Sequence, residues 1–246
     1  MTIIEKVRRS VRCCLERTAA GGAFCNWYRN RREKRHKKVA CARLRKYGVE
    51  ILDLIAKALT DLNVPYFADY GTLLGIIREA GFIRHDNDLD FGVMPGFSKK
   101  KEMLMALLSV GFTFKRAFEF NGKITEISLI YKDVPVDFFF NEETEKGEEM
   151  WAYTYSTGGY IPKPQERFPV LASYRDCRPR VSALVNAEIY GRRVPIPEDA
   201  EKLIAITYGN DWRIPKSAWT PNVTSNQPSL RLVYGEAYVI GENCIK

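Results

Sequence analysis

The order of apolar and polar residues along the chain predicts alternating helices and strands. Apolar residues recur with helical spacing over residues 44–62, on the face opposite the charged ones, and Pro65 should end this helix. A short apolar strand over residues 66–68 should lead into a glycine-containing turn, and a second helix should begin at Leu73. Residues 88–93 then have the composition of a buried strand. This alternation indicates an α/β chain.

Strands dominate the predicted second half. Phenylalanines alternate with polar residues up to Asn121 and Gly122, the dipeptide favoured in two-residue hairpin turns, and an apolar run returns over residues 124–131. The segment 151–179 is aromatic and rich in proline, and no periodicity assigns it to helix or strand. The other predicted elements are a helix between Ser98 and Gly111, a strand over 136–140, a hairpin over 188–196 and a helix between Pro197 and Gly209.

Composition limits the class of protein. The 246 residues are 46% hydrophobic and 28% charged, which suits a globular chain with a full core and excludes disorder. No apolar run is long enough to span a membrane, and the charged N-terminus is unlike a signal peptide. The six cysteines form no paired CxxC motif, so we expect reduced thiols and a cytoplasmic location.

Positive charge is concentrated at the N-terminus. Residues 1–48 carry fifteen Lys or Arg and three Glu, a net +12, so from a total of +8 the remaining chain is net −4. Residues 3–18 would form an amphipathic helix that Gly21 and Gly22 break, and aromatic and basic residues follow. We therefore divide the chain into a basic N-terminal segment, residues 1–40, and a main domain, residues 41–246.

Three interpretations of the basic segment remain open. An apolar stripe beside a basic face suits a helix lying on an anionic membrane, here through residues 1–38, which would make the protein peripheral on the inner membrane face. A helix packed on the body or on another subunit is nearly as well supported. Nucleic-acid binding is the weakest interpretation, because the rest of the chain is net acidic and has no reader motif.

The candidate chemistry lies in a row of acids. Asp86, Asp88 and Asp90 would share one face of an extended segment, and Asp137 is a single acid within an apolar strand. Unpaired acids are costly among apolar residues, so a divalent cation is their natural partner, Mg²⁺ or Mn²⁺. If the two strands are neighbours, all four acids can converge as metal ligands. An EF-hand is excluded, because Phe91 stands where its glycine is required.

A phosphate site is the second prediction. The strand that passes through Gly71 and Thr72 into a helix would present free backbone N–H groups, to which a phosphate can bind. Arg78 and Arg84 lie between this turn and the acids and could contact a diphosphate. The alternative is that the turn is only structural and that both arginines are ordinary surface charges.

Several motifs, in order, resemble the LicD family, to which the catalytic domains of fukutin and fukutin-related protein are also similar. The resemblance covers about residues 44–215, and His85 departs from it, since the family usually has Trp there. The matching segments are Tyr66–Arg78, Gly81–Ile83, Asp86–Asp90, Val136–Phe138, Gly191 with Val194–Pro197, and Tyr208–Trp212.

The resemblance implies a nucleotidyltransferase-like α/β fold, a mixed sheet flanked by helices. It also implies a metal-dependent phosphotransferase that moves phosphocholine or an alditol phosphate from a CDP-activated donor to a cell-surface glycan, free or lipid-linked, and releases CMP. Asp88, Asp90 and Asp137 would be the catalytic acids, with Asp86 assisting as a metal ligand. The alternatives are a nucleotidyltransferase that moves NMP to a small molecule or protein, and a non-catalytic scaffold of a membrane assembly.

Overall fold

The computed structural model describes residues 19–157, 159–215 and 229–245. Its strands and helices confirm the predicted mixed α/β class. The helices are α1 (Ala19–Thr60), α2 (Tyr70–Glu79), α3 (Lys100–Ser109), α4 (Ala200–Tyr208) and a 3₁₀ turn (Glu242–Cys244). The strands are β1 (Tyr66–Ala68), β2 (Leu89–Val93), β3 (Thr113–Phe120), β4 (Lys123–Tyr131), β5 (Val134–Phe140), β6 (Glu142–Glu143), β7 (Glu149–Ser156), β8 (Arg167–Pro169), β9 (Ala172–Pro179), β10 (Leu184–Ile189), β11 (Arg192–Pro197), β12 (Leu230–Val233) and β13 (Ala237–Ile240).

A seven-stranded mixed sheet, in the order β1-β2-β5-β4-β3-β13-β8, forms the body of the molecule. Strands β2 and β5 pair in parallel, whereas the other pairs of this sheet are antiparallel. A four-stranded sheet, β12-β9-β7-β6, and the hairpin β10-β11 complete the described strands. The main core is formed by residues of the sheet, of the four α-helices and of the β10-β11 hairpin, and within it the rings of Phe91 and Phe138 stack with their centroids 5.3 Å apart.

Local signals in the sequence are confirmed at both hairpins. Asn121 and Gly122 have φ values of 47° and 80° and connect the antiparallel strands β3 and β4. Tyr190 and Gly191, with φ values of 51° and 73°, connect β10 and β11 in the same way. Two consecutive positive φ values are what a type I′ turn requires, and Asn and Gly adopt them at the least cost.

Helix α1 corrects the predicted break at Gly21 and Gly22. Its described part, Ala19–Thr60, continues through both glycines, so they do not end a helix as predicted. A single glycine costs a helix only about 1 kcal/mol, an amount that neighbouring helix-forming residues can offset. The helix also runs across the proposed domain boundary at residue 40. The predicted helix 3–18 lies outside the described residues, so membrane binding by residues 1–38 stays a prediction. None of the described helices is long and apolar enough to cross a membrane.

The segment 151–179, which the sequence left unassigned, lies mostly in β7, β8 and β9. Strand β9 alternates between buried and partly exposed positions, but its buried positions include Asp176 and Arg178. Because β9 buries charged residues, its sequence lacks the alternation of apolar and polar residues by which a strand is predicted. This explains why the sequence did not predict β9.

Gly92 should be required for the pairing of β1 with β2. Gly92 is the register partner of Phe67, and a Cβ at this position would lie 2.3 Å from Cζ of that ring. We expect Gly92→Ala to lower the free energy of unfolding by about 1–3 kcal/mol in denaturant titrations. Phe67→Leu should cost less in the Gly92→Ala background than alone, because it removes the clash; additive effects would contradict this explanation.

Candidate active site

The parallel pairing of β2 and β5 brings two acids together. Asp90 of β2 and Asp137 of β5 are direct register partners, so their side chains lie on the same face of the sheet, one strand spacing apart. On the next strand, β4, the buried Ser128 is the partner of Asp137. The strand pairing that the predicted convergence of Asp90 and Asp137 requires is thus present.

A cavity of about 590 Å³ opens over these strands. Asp86, Asp88 and Asp90 line it, whereas Asp137 is not among its lining residues. Asp137 keeps one carboxylate oxygen, Oδ1, buried without a hydrogen-bond partner. Aromatic and basic side chains form much of the remaining wall; among them are Lys37, Tyr70, Arg78, His85, Tyr155, Tyr174, Tyr208 and Trp212.

Removal from water raises the pKa of every acid in this group. It raises the pKa of Asp88 to about 7, and the negative charge of Asp86 adds to the effect. The pKa of Asp90 is held well above its usual range by burial, and then by Asp88 and Asp137. Burial also raises the pKa of Asp86 and Asp137. Like charges at this separation favour binding of a proton or of a cation.

The donor atoms decide whether a divalent cation fits. Within the described residues, no three or more His, Cys, Asp and Glu side chains are arranged so that they could hold a metal ion as they stand. The predicted set of Asp86, Asp88, Asp90 and Asp137 is therefore not assembled as a complete cage. The chemistry still suits Mg²⁺, because all donors are carboxylate oxygens and Asp137 Oδ1 has no partner. Mg²⁺ is commonly held by one or two carboxylates with water and substrate phosphates, and this wall meets that requirement.

The predicted phosphate cradle at Gly71 and Thr72 is occupied by protein groups. Both residues lie in the first turn of α2, and Gly71 lines the cavity. A Cβ on Gly71 would lie 2.6 Å from Oδ2 of Asp86, so a carboxylate already occupies the space beside this helix N-terminus. Thr72 is buried, and its Oγ1 accepts a 2.8 Å hydrogen bond from the backbone N–H of Asp90. Thr72 therefore holds the acid-bearing strand and does not face the cavity.

The two predicted arginines separate in the structure. Arg78 lines the cavity; it donates to the backbone oxygen of Trp212 at 3.1 Å and to Glu79 at 2.7 Å, and its Nε is buried without a partner. Arg84 is exposed and lies outside the cavity wall, where its backbone oxygen accepts a hydrogen bond from Arg45. Of the two predicted arginines, only Arg78 is placed to contact an anionic ligand in the cavity.

Sequence reasoning missed several neighbours of the acids. Glu126 is buried on β4, and burial together with the charge of Asp137 raises its pKa to about 8. The criterion that identified Asp137, a single acid within an apolar strand, would also have identified Glu126. Tyr208 and Trp212 lie in a motif that the resemblance marked without assigning a role. Lys37 reaches the cavity from α1, and nothing in its local sequence indicates this.

Comparison with known proteins places the chain in a family. The family model described as "LicD/FKTN/FKRP, nucleotidyltransferase domain" matches residues 63–199, more than half of the chain. The human protein named ribitol-5-phosphate transferase FKTN is 32% identical over 198 residues, which are 76% of this chain and 39% of that protein. Its mouse counterpart is 32% identical over 192 residues, 74% of this chain and 38% of that protein. The chain thus spans about two fifths of the length of these curated relatives.

Solved structures show more distant similarity. The lincomycin-bound lincosamide antibiotic adenylyltransferase LnuA aligns with a TM-score of 0.36 and 14% identity, over 64% of this chain and 82% of that one. The ANT(2")-Ia complex with adenylyl-2"-tobramycin aligns with a TM-score of 0.40 and 14% identity, over 70% and 81%. We draw no conclusion about the function of this chain from structural similarity at this level. The nucleotidyltransferase-like fold predicted from the sequence is supported by the family match.

The raised pKa values predict an unusual dependence of stability on pH. Between about pH 4 and pH 8 the folded chain holds protons on Asp88 and Glu126 that the unfolded chain releases, so the free energy of unfolding should fall as pH rises. The loss should be on the order of a few kcal/mol in chelator-treated protein, since one pKa unit corresponds to about 1.4 kcal/mol. Denaturant titrations from pH 5 to pH 8 measure it.

Asp88→Asn is the matching variant, and Asp61→Asn, at an exposed position of the chain, is its control. Asp88→Asn should reduce the slope of this pH dependence, to which Glu126 still contributes, whereas Asp61→Asn should leave the slope unchanged. Equal slopes in the wild type and in Asp88→Asn would show that Asp88 titrates at an ordinary pKa.

Proposed function

Since the chain belongs to the LicD/FKTN/FKRP family, we propose that it transfers a phosphorylated small alcohol from a nucleotide-activated donor to a hydroxyl group of a glycan. The observation that carries the proposal is the cavity itself. Asp86, Asp88 and Asp90 line one wall of it, and the basic residues Lys37 and Arg78 line it as well. The carboxylates could bind a metal ion that carries the donor diphosphate, and the Lys and Arg side chains could neutralise the remaining negative charge of the diphosphate. This combination fits phosphoryl transfer.

The proposed donor is a CDP-activated alditol phosphate or phosphocholine. A volume of about 590 Å³ is in the range of small-molecule sites, and the aromatic rings in the wall offer flat surfaces for a base or a sugar. The name of the human relative, ribitol-5-phosphate transferase, favours an alditol phosphate over phosphocholine. CMP and the modified glycan would be the products.

Each cavity residue has a proposed part in the reaction. Asp88 and Asp90 would bind Mg²⁺ or Mn²⁺ together with the donor phosphates, and Asp86 would assist them. When bound, the cation would neutralise charge that develops on the phosphate oxygens. Asp137 pairs with Asp90 but does not line the cavity, so its proposed part is to complete the metal site through its unpartnered Oδ1. Arg78, with an unpartnered Nε in the wall, would contact a phosphate oxygen.

Asp90→Asn tests the assignment of the acids. The substitution removes one negative charge with little change in volume, so we expect at least a 100-fold loss of CMP release and no loss of thermal stability. The assay incubates the protein with a panel of CDP-activated donors, a glycan acceptor and Mg²⁺, and follows release of CMP and of the free alcohol phosphate separately. Asp61→Asn, on the exposed surface, should be fully active.

Three results would contradict the proposed function. Full activity of Asp90→Asn with unchanged Mg²⁺ dependence would exclude the acid cluster as the site. Release of the free alditol phosphate or phosphocholine in place of CMP would show attack on the other phosphorus, which transfers CMP to the acceptor and is nucleotidyl transfer. Absence of any turnover, with the acids intact and metal bound, would favour a scaffold.

Lys37 gives a more local test, because its neighbour Lys38 provides a matched control. Both side chains are exposed on α1, but only Lys37 lines the cavity, where its charge opposes the upward shift of the Asp86 pKa. We expect Lys37→Gln to raise KM for the donor about 3- to 10-fold with little change in kcat, as expected for loss of one charged contact. Lys38→Gln should change neither constant. The same effect from both variants would indicate general attraction by the basic helix.

A further inference from the structure

Arg178 is the largest fully buried side chain of the described residues, and it lies outside the cavity wall. Its guanidinium donates to both carboxylate oxygens of Asp69, at 2.6 and 2.9 Å. It also donates to Oδ1 of Asn141 at 3.2 Å, and Asp176 lies 3.6 Å from its Nε. One guanidinium on β9 thus connects the four-stranded sheet to β1, α2 and the end of β5.

The partners of Arg178 hold the acid-bearing strands directly. The backbone N–H of Asp69 donates to the backbone oxygen of Asp90 at 3.0 Å, and the Asp69 carboxylate caps α2 through the N–H of Tyr70. Asn141 donates from its side chain to the backbone oxygens of Val93, at 3.1 Å, and Phe139, at 3.3 Å. Through Asp69, Arg178 therefore restrains β2 at Asp90. Through Asn141, it restrains the C-terminal ends of β2 and β5.

Stability alone does not account for this arrangement. Burying an Arg with two carboxylates removes three charges from water, and well-packed apolar residues usually stabilise a fold as well or better. Asp176 gains little from the contact, since neither of its buried carboxylate oxygens accepts a hydrogen bond. A planar guanidinium can bind both oxygens of Asp69 and the amide of Asn141 at once, and no apolar group can do this. Its specific contribution is orientation.

We propose that Arg178 is a positioning residue, which fixes the register and spacing of the Asp90 and Asp137 strands through Asp69 and Asn141. For turnover the proposal rests on the proposed function, but for metal binding it does not. Without the bidentate contact, the N-terminus of β2 is free to shift relative to β5. Carboxylates that shift by a fraction of an ångström bind a cation less tightly and position a phosphate less well.

The test compares Arg178→Lys with Arg192→Lys in the full chain. Lysine keeps the positive charge but cannot make the forked contact. Arg192 makes a similar two-point contact with Asp53, at 2.7 and 3.1 Å, on the half-exposed surface, so it controls for loss of an arginine fork as such. Mn²⁺ affinity, measured by electron paramagnetic resonance, is the readout that does not depend on turnover.

We expect Arg178→Lys to weaken Mn²⁺ binding at least 5-fold and to lower kcat at least 10-fold, with KM for the donor within 3-fold of the wild type. Arg192→Lys should match the wild type in all three. If Arg178→Lys does not fold, the same measurements apply to Asp69→Asn combined with Arg178→Met, which removes both charges of the pair and keeps a capping side chain.

Wild-type Mn²⁺ affinity in a folded Arg178 variant would overturn the proposal. If Mn²⁺ binding weakens but even the wild type shows no transferase turnover, the positioning role stands and the proposed function fails. If Arg192→Lys loses as much affinity as Arg178→Lys, the effect is a general consequence of losing an arginine, and the proposal also fails.

Discussion

Two carboxylates that face the same way on adjacent parallel strands are the constraint on which the rest of this structure depends. Asp90 and Asp137 are register partners, and Asp88 and Asp86 extend the negative charge to the cavity wall. Such a group is unfavourable in a fold unless protons or a cation bind to it, as the raised pKa values show. A fold that gained nothing from these acids would have no reason to keep them together. The cluster is therefore best explained as a binding site.

The surrounding contacts restrain the backbone around these acids. Thr72 and Asp69 bind the two backbone groups of Asp90, its N–H and its oxygen. Gly71 leaves room for the carboxylate of Asp86 beside the N-terminus of α2. Arg178 ties Asp69 to the second sheet through a fully buried contact. Tyr70 lies within this network and has a φ of 41°, a left-handed backbone conformation that residues other than glycine rarely adopt. Backbone strain of this kind is commonly found at functional sites.

The sequence predicted the acid pair because the signal was local. Asp90 and Asp137 each lie among large apolar residues, which marked them as candidates, whereas the pairing of their strands was a condition of the prediction that the structure supplies. The sequence did not indicate that Thr72 is buried and accepts a hydrogen bond from the backbone N–H of Asp90, because this contact joins residues 18 positions apart. Arg178 could not be found, since its role depends on partners 109 and 37 residues away, Asp69 and Asn141. Contacts of that range leave no periodic pattern.

The central claim is that the wall formed by Asp86, Asp88 and Asp90 binds a divalent cation that serves a phosphorylated substrate. The most direct measurement is anomalous X-ray scattering from crystals that hold Mn²⁺ and a CDP-alditol. The account predicts one or two Mn²⁺ peaks within coordination distance of the Asp88 and Asp90 carboxylates, with the donor diphosphate on the same ions. Mn²⁺ bound away from these carboxylates, with the diphosphate elsewhere in the molecule, would contradict it.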